Sequence, residues 1–174
     1  MASEEKNQSN IINSELNLNY NKYLFADKPI NRFKTKPKVE DISTKLGELR
    51  NEIEKIENCE LKKNASKIVF SDGNNRSKIM IVGEGPGQKE DQEGKPFVGD
   101  AGLLLNKMLK SINIERKNVY ITNVVNYRPP NNRKPEAVEI VKYSNFLRKH
   151  ISIIDPKILI LMGSTAMESL FGSN

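Results

Sequence analysis

Cysteine is almost absent from this 174-residue chain: Cys59 stands alone. No internal disulfide can form, so burial and hydrogen bonding must hold the fold, and a reducing cytoplasm is the expected setting. No apolar run approaches the roughly 18 residues of a membrane-spanning helix. The opening residues MASEEKNQSN lack the apolar stretch of a secretory signal. Histidine is equally scarce. His150 is the single one, and it is expected at a helix surface or helix end. What the chain does have is basic charge, a formal net +6. That balance favours an anionic partner such as nucleic acid, although a lysine-rich soluble protein has the same signature.

Residues 1–40 are rich in Asn, Lys, Ser and Glu and show no sustained period. They read as a disordered or loosely docked polar arm. From Asp41 the pattern sharpens into one α/β domain over residues 41–174. Ile42, Leu46, Leu49, Ile53 and Ile56 recur at helical spacing. Lys67–Phe70 reads as a short strand before a turn at Ser71–Asn75. Ile79–Val82, Val119–Val125 and Lys157–Met162 read as buried strands. Between them Asp100 is expected to cap a helix carrying Leu103, Leu104, Met108, Leu109 and Ile112. Pro135 is expected to open another, with Ala137, Ile140, Val141, Ser144, Leu147 and Ile151 on one face. A short helix, Thr165–Phe171, follows with Ser164 as its cap. Continuous apolar strands separated by helices predict a parallel sheet covered on both faces, a three-layer αβα sandwich. A last strand is expected beyond these, so the domain reads as C-terminally incomplete.

Ligands on such sheets bind beyond the carboxyl ends of the strands. The stretch GEGPGQKEDQEGKPFVGDAG, Gly83 to Gly102, follows one such end. Glycines let backbone N–H groups approach an anion or a flat ring closely. The loop is neither the G-x-x-x-x-G-K-S/T phosphate loop nor G-x-G-x-x-G, so nucleoside triphosphates and dinucleotides fit poorly. Glu84 is a carboxylate that can position water or face a developing cation; taken alone it reads as a solvated loop acid. Glu90 and Asp91 read as structural. Phe97 is by spacing a core phenylalanine, or else an aromatic that stacks on a base. Asn123 ends an apolar strand and needs partners for its amide. Arg128-Pro129-Pro130-Asn131-Asn132-Arg133 is a stiff basic loop suited to phosphates. Together these features suit a base on a charged backbone.

From Ser77 onward the chain resembles the family 4 uracil-DNA glycosylases. The resemblance rests on Gly83-Glu84-Gly85-Pro86-Gly87, Glu90-Asp91, Gly94-Lys95-Pro96-Phe97-Val98-Gly99 with Ala101-Gly102, Tyr120-Ile121-Thr122-Asn123, Arg128-Pro129-Pro130 and Asn132-Arg133. Glu139, Phe146-Leu147, Pro156 and Gly163 with Ala166 continue it. It implies removal of a flipped-out uracil from DNA by hydrolysis of the N-glycosidic bond, in base excision repair. It implies Glu84 as the catalytic acid handling water and the cation. Phe97 would stack on uracil and Asn123 would read its edge against cytosine. Gly83, Gly85, Pro86 and Gly87 would border the base, and Arg128 and Arg133 would meet phosphates. A monomer acting on uracil-containing DNA is the corresponding expectation.

The resemblance departs from its family in two places. Family members hold an iron–sulfur cluster on four cysteines, and the matching positions here are Ile56, Cys59, Tyr127 and Tyr143. One thiolate does not hold such a cluster. No cluster is expected, the two tyrosines are expected to fill the space, and Cys59 reads as a buried remnant. The family's late histidine motif also has no counterpart before Asn174, and His150 is not that residue. Two other classes therefore stay open: a catalytically impaired homologue that binds DNA or uracil, and a small-nucleotide hydrolase on the same fold.

Overall fold

The computed structural model describes residues 41–172. The arm expected over residues 1–40 lies outside them. Asp41 precedes helix α1 (Ile42–Glu54), whose Leu46, Leu49 and Ile53 are buried, as their spacing requires. A short helix α2 (Glu60–Asn64) follows, then strand β1 (Asp72–Gly73) and strand β2 (Ile79–Gly83). Helices α3 (Gln88–Glu93) and α4 (Asp100–Ser111) lead to strand β3 (Tyr120–Asn123). The long helix α5 (Ala137–Ile154), strand β4 (Ile158–Leu161) and helix α6 (Ser164–Phe171) complete the order. Among the described residues no helix is long and apolar enough to cross a membrane.

The four-stranded sheet runs β1-β3-β2-β4. β2 pairs parallel with β3 and with β4, while β1 pairs antiparallel with β3. Alternation along the strands divides the core between two faces. Met80, Val82 and Tyr120 join a large cluster with α1 and α5. Ile81 and Ile121 join a smaller one with Leu105 and Leu109 of α4. Helices thus cover both faces of a mostly parallel sheet, the expected sandwich.

Several local expectations are corrected. Lys67–Phe70 forms no strand. Val69 N–H donates to Asn126 O at 2.8 Å, and the pairing shifts into the expected turn as β1. Gly99 and Gly163, not Asp100 and Ser164, occupy the positions before α4 and α6. The expected apolar face of α4 is rotated. Gly102, Leu105 and Leu109 are buried, while Leu103, Leu104, Met108 and Ile112 are exposed. β4 is not fully buried either: it is the last strand of the sheet, and Ile158 and Ile160 are exposed.

His150 is the largest correction. The buried face of α5 carries Ile140, Tyr143, Leu147, His150 and Ile154, and Val141 is exposed. His150 stacks on Phe70 with ring centroids 4.6 Å apart, and its Nε2 lies 2.6 Å from Tyr120 Oη. Burial pushes its pKa down to about 3 from 6.5. The neutral form is thus the folded form, and the unfolded chain binds the proton first on acidification. This contribution to stability is intact above pH 6.5. It falls by up to about 1.4 kcal/mol per pH unit as acid is added, and the loss is complete near pH 3. His150→Gln keeps an acceptor for Tyr120 but cannot titrate. Its urea midpoint is expected to fall less than the wild type's between pH 6.5 and pH 4.5. Parallel curves would refute the assignment.

Candidate active site

β2, β3 and β4 end on the same side of the sheet. Gly83 stands in register with Asn123, and Met162 N–H donates to Val82 O at 2.8 Å. A cavity of about 460 Å³ opens there, within the range of small-ligand clefts. Gly83, Glu84, Gly85, Gly87, Phe97 and Asn123 line it, with Glu90, Gly99, Asp100, Ala101 and Met162. Of the residues singled out by sequence for the base, Pro86 alone is not in the lining; it is buried.

Asn123 is 4% exposed, and its Nδ2 has no hydrogen-bond partner among the described residues. A buried amide donor left unpaired costs about 1–3 kcal/mol. Such a group in a cavity wall leaves a donor free for an acceptor in the cavity. The Phe97 ring lies close by: a Cβ added at Gly83 would stand 2.5 Å from Asn123 Oδ1 and 2.6 Å from the ring. Glycine at position 83 is what lets the two side chains flank one space.

Phe97 has φ of 53°, a conformation that costs a non-glycine residue energy. Its surroundings hold it there. Arg116 donates to Phe97 O at 2.9 Å and to Pro96 O at 2.7 Å, while its Nε donates to Asp72 at 2.7 Å. Glu90 accepts from the N–H groups of Gly87, Val98 and Gly99. Glu90 thus ties both glycine turns together, the structural role expected of it. Asp91 is buried and accepts from Ser66 N–H at 2.8 Å.

Glu84 sits at the mouth, exposed, and its Oε2 accepts from Thr165 Oγ1 at 2.5 Å. The basic loop lies outside the lining. Arg128 Nε donates to Asn132 at 2.7 Å. Arg133 makes a two-pronged pair with Glu139 at 2.7 and 2.8 Å, which holds that carboxyl below its usual range. Arg133 is therefore engaged within the protein.

The positions matching the family's cluster ligands also meet. Cys59 Sγ lies 3.3 Å from Tyr143 Oη, and Cys59, Tyr127 and Tyr143 are all buried in one cluster. Burial raises the pKa of both phenols. Among the described residues no three His, Cys, Asp or Glu side chains group so as to hold a metal ion. One thiol and two protonated phenols do not fit an iron–sulfur cluster.

Sequence reasoning missed Arg116, Thr165 and Met162. Met162 is legible in principle, as the residue after a strand. Arg116 and Thr165 act on groups distant in sequence, and no local pattern marks them.

A mostly parallel sheet with an amide-bearing cavity at its carboxyl edge defines an α/β protein whose candidate site has the size and lining of a small-ligand cleft. The model of the uracil DNA glycosylase superfamily matches residues 70–173, and the chain belongs to that superfamily. It is 44% identical over 115 residues to a type-4 uracil-DNA glycosylase of Thermotoga maritima, covering 66% of this chain and 60% of that protein. It is 44% identical over 127 residues to one from Sulfurisphaera tokodaii, covering 72% and 58%. The type-4 enzyme of Archaeoglobus fulgidus is 41% identical over 126 residues, covering 72% and 63%. The chain spans about three fifths of the length of these relatives.

Proposed function

We propose that this chain carries the base-binding core of a uracil-DNA glycosylase, acting as a cytoplasmic monomer on uracil-containing DNA. It hydrolyses the bond between uracil N1 and the sugar, releasing uracil and leaving an abasic site. The observation that carries this reading is the unpartnered Nδ2 of Asn123 beside the Phe97 ring. Uracil offers the O4 acceptor and the N3–H donor that an asparagine amide complements. Cytosine reverses both. Phe97 stacks on the base.

Water adds to the sugar carbon as the bond breaks, the electron pair leaves with uracil N1, and the proton that the water gives up neutralises the released base through solvent. Glu84 faces the positive charge that builds on the sugar and orients that water. Arg128 meets a phosphate. Arg133 first has to part from Glu139. The Cys59–Tyr127–Tyr143 packing takes the place of an iron–sulfur cluster, so the purified protein is expected to contain no stoichiometric iron.

The test is release of uracil from a labelled oligonucleotide by wild type and Asn123→Asp. A carboxylate cannot donate to O4. Asn123→Asp is expected to lose about 10- to 100-fold in rate, with an unchanged circular dichroism spectrum and a weaker preference for uracil over cytosine. Salt-sensitive DNA binding without any release by wild type would instead support a homologue that only binds.

A further inference from the structure

We propose that Thr165 is the positioning residue for Glu84. The inference rests on the glycosylase reading and assigns a residue from another element to its chemistry. Thr165 lies in the first turn of α6, 0% exposed, and its hydroxyl donates to Glu84 Oε2 at 2.5 Å. That is the length of a strong hydrogen bond from a hydroxyl to a carboxylate.

The contact follows from the sheet. β4 pairs with β2 so that Leu161 lies beside Val82. Both chains then leave the sheet together, one into Glu84 and the other through Gly163 into α6. Gly163 makes that turn with φ of 95°. Ala166 is fully buried next to Thr165 and anchors the turn in the core. The backbone of Glu84 is fixed from the opposite side, where Val125 N–H donates to Glu84 O at 3.2 Å.

An exposed glutamate gives up much of its rotamer freedom when it is held in one pose. Nothing else among the described residues bonds this carboxylate. Thr165 therefore selects the pose. With Oε2 taken, Oε1 remains for water or the sugar cation. A group that acts on charge developing in a transition state needs such support from behind.

Thr165→Val removes this bond with little other consequence, because Glu84 is solvated and no buried partner is orphaned. Single-turnover uracil release is expected to fall at least tenfold, approaching the roughly 10²-fold that ångström-scale misplacement costs. The affinity for uracil DNA and the thermal midpoint should stay near wild type. Thr165→Ser restores the hydroxyl and should recover most of the rate. In a Glu84→Gln background, Thr165→Val should cost much less than it does alone. Equal rates for wild type and Thr165→Val would overturn the role of Thr165 and leave the glycosylase reading standing. A wild type with no uracil release would overturn both.

Discussion

Gly102→Ala is expected to destabilise the domain by about 3 kcal/mol, the upper part of the usual overpacking range. The direction is opposite to that of most helix interiors, where alanine gains roughly 1 kcal/mol over glycine. Gly102 lies in the first turn of α4, on the side that meets the Phe97 loop. A Cβ there would stand 1.9 Å from Phe97 O and 2.1 Å from Phe97 C. Both are backbone atoms, so neither a rotamer change nor side-chain flexing relieves the overlap. The loop is pinned by Arg116 and Glu90. The helix is pinned through Leu105 and Leu109 in the smaller core cluster. One of these sets of contacts has to give. Gly47→Ala is the control: it too is in a helix, and its Cβ meets nothing within 4 Å. Urea unfolding should place the two variants on opposite sides of wild type. Finding Gly102→Ala as stable as wild type would falsify the close packing of helix and loop.

That same contact explains why the fold was only partly legible in the sequence. The parallel strands were readable, because Ile79–Val82 and Ile158–Leu161 are apolar throughout and no helix of that length competes; the short β1 was not. The meeting of Gly83, Glu84 and Asn123 was readable too, since strand ends of a parallel sheet share one side. The face of α4 was not. Leu104, Met108 and Ile112 form as good a helical stripe as Leu105 and Leu109. What decides between the stripes is the glycine that touches a carbonyl, and hydrophobic periodicity does not weigh that. On α5, Tyr143 was expected to fill the space at the cluster positions and does, whereas His150 counts as polar by composition. Their positions beside Tyr120 and Cys59 satisfy the polar atoms, so the rings are free to act as core. In the site, Glu84 and Phe97 stood out as an acid and an aromatic in a glycine-rich stretch, and Asn123 as a polar residue ending an apolar strand; the structure places all three on one cavity. Arg116 and Thr165 did not stand out, because each serves a residue on a separate element and looks ordinary in its own segment.

Glu84→Gln is expected to slow uracil release by about 10²–10³, the effect of removing one preorganised electrostatic group from a transition state. Glutamine has nearly the same shape and can still accept from Thr165, so the loss isolates the charge. Binding should move the other way. A carboxylate at the mouth of a cavity that receives DNA repels the phosphates. Its removal is therefore expected to tighten binding to uracil DNA, more so at low salt where screening is weakest. For a protein that only holds DNA, Glu84 is an uncompensated cost. For a glycosylase it is worth that cost, because the sugar becomes positive only as the bond breaks. Single-turnover rates and filter-binding affinities on the same oligonucleotide, at two salt concentrations, measure both effects. Slower release with tighter binding places the charge in the chemical step. An unchanged rate with tighter binding would remove Glu84 from the chemistry and leave it as a surface acid.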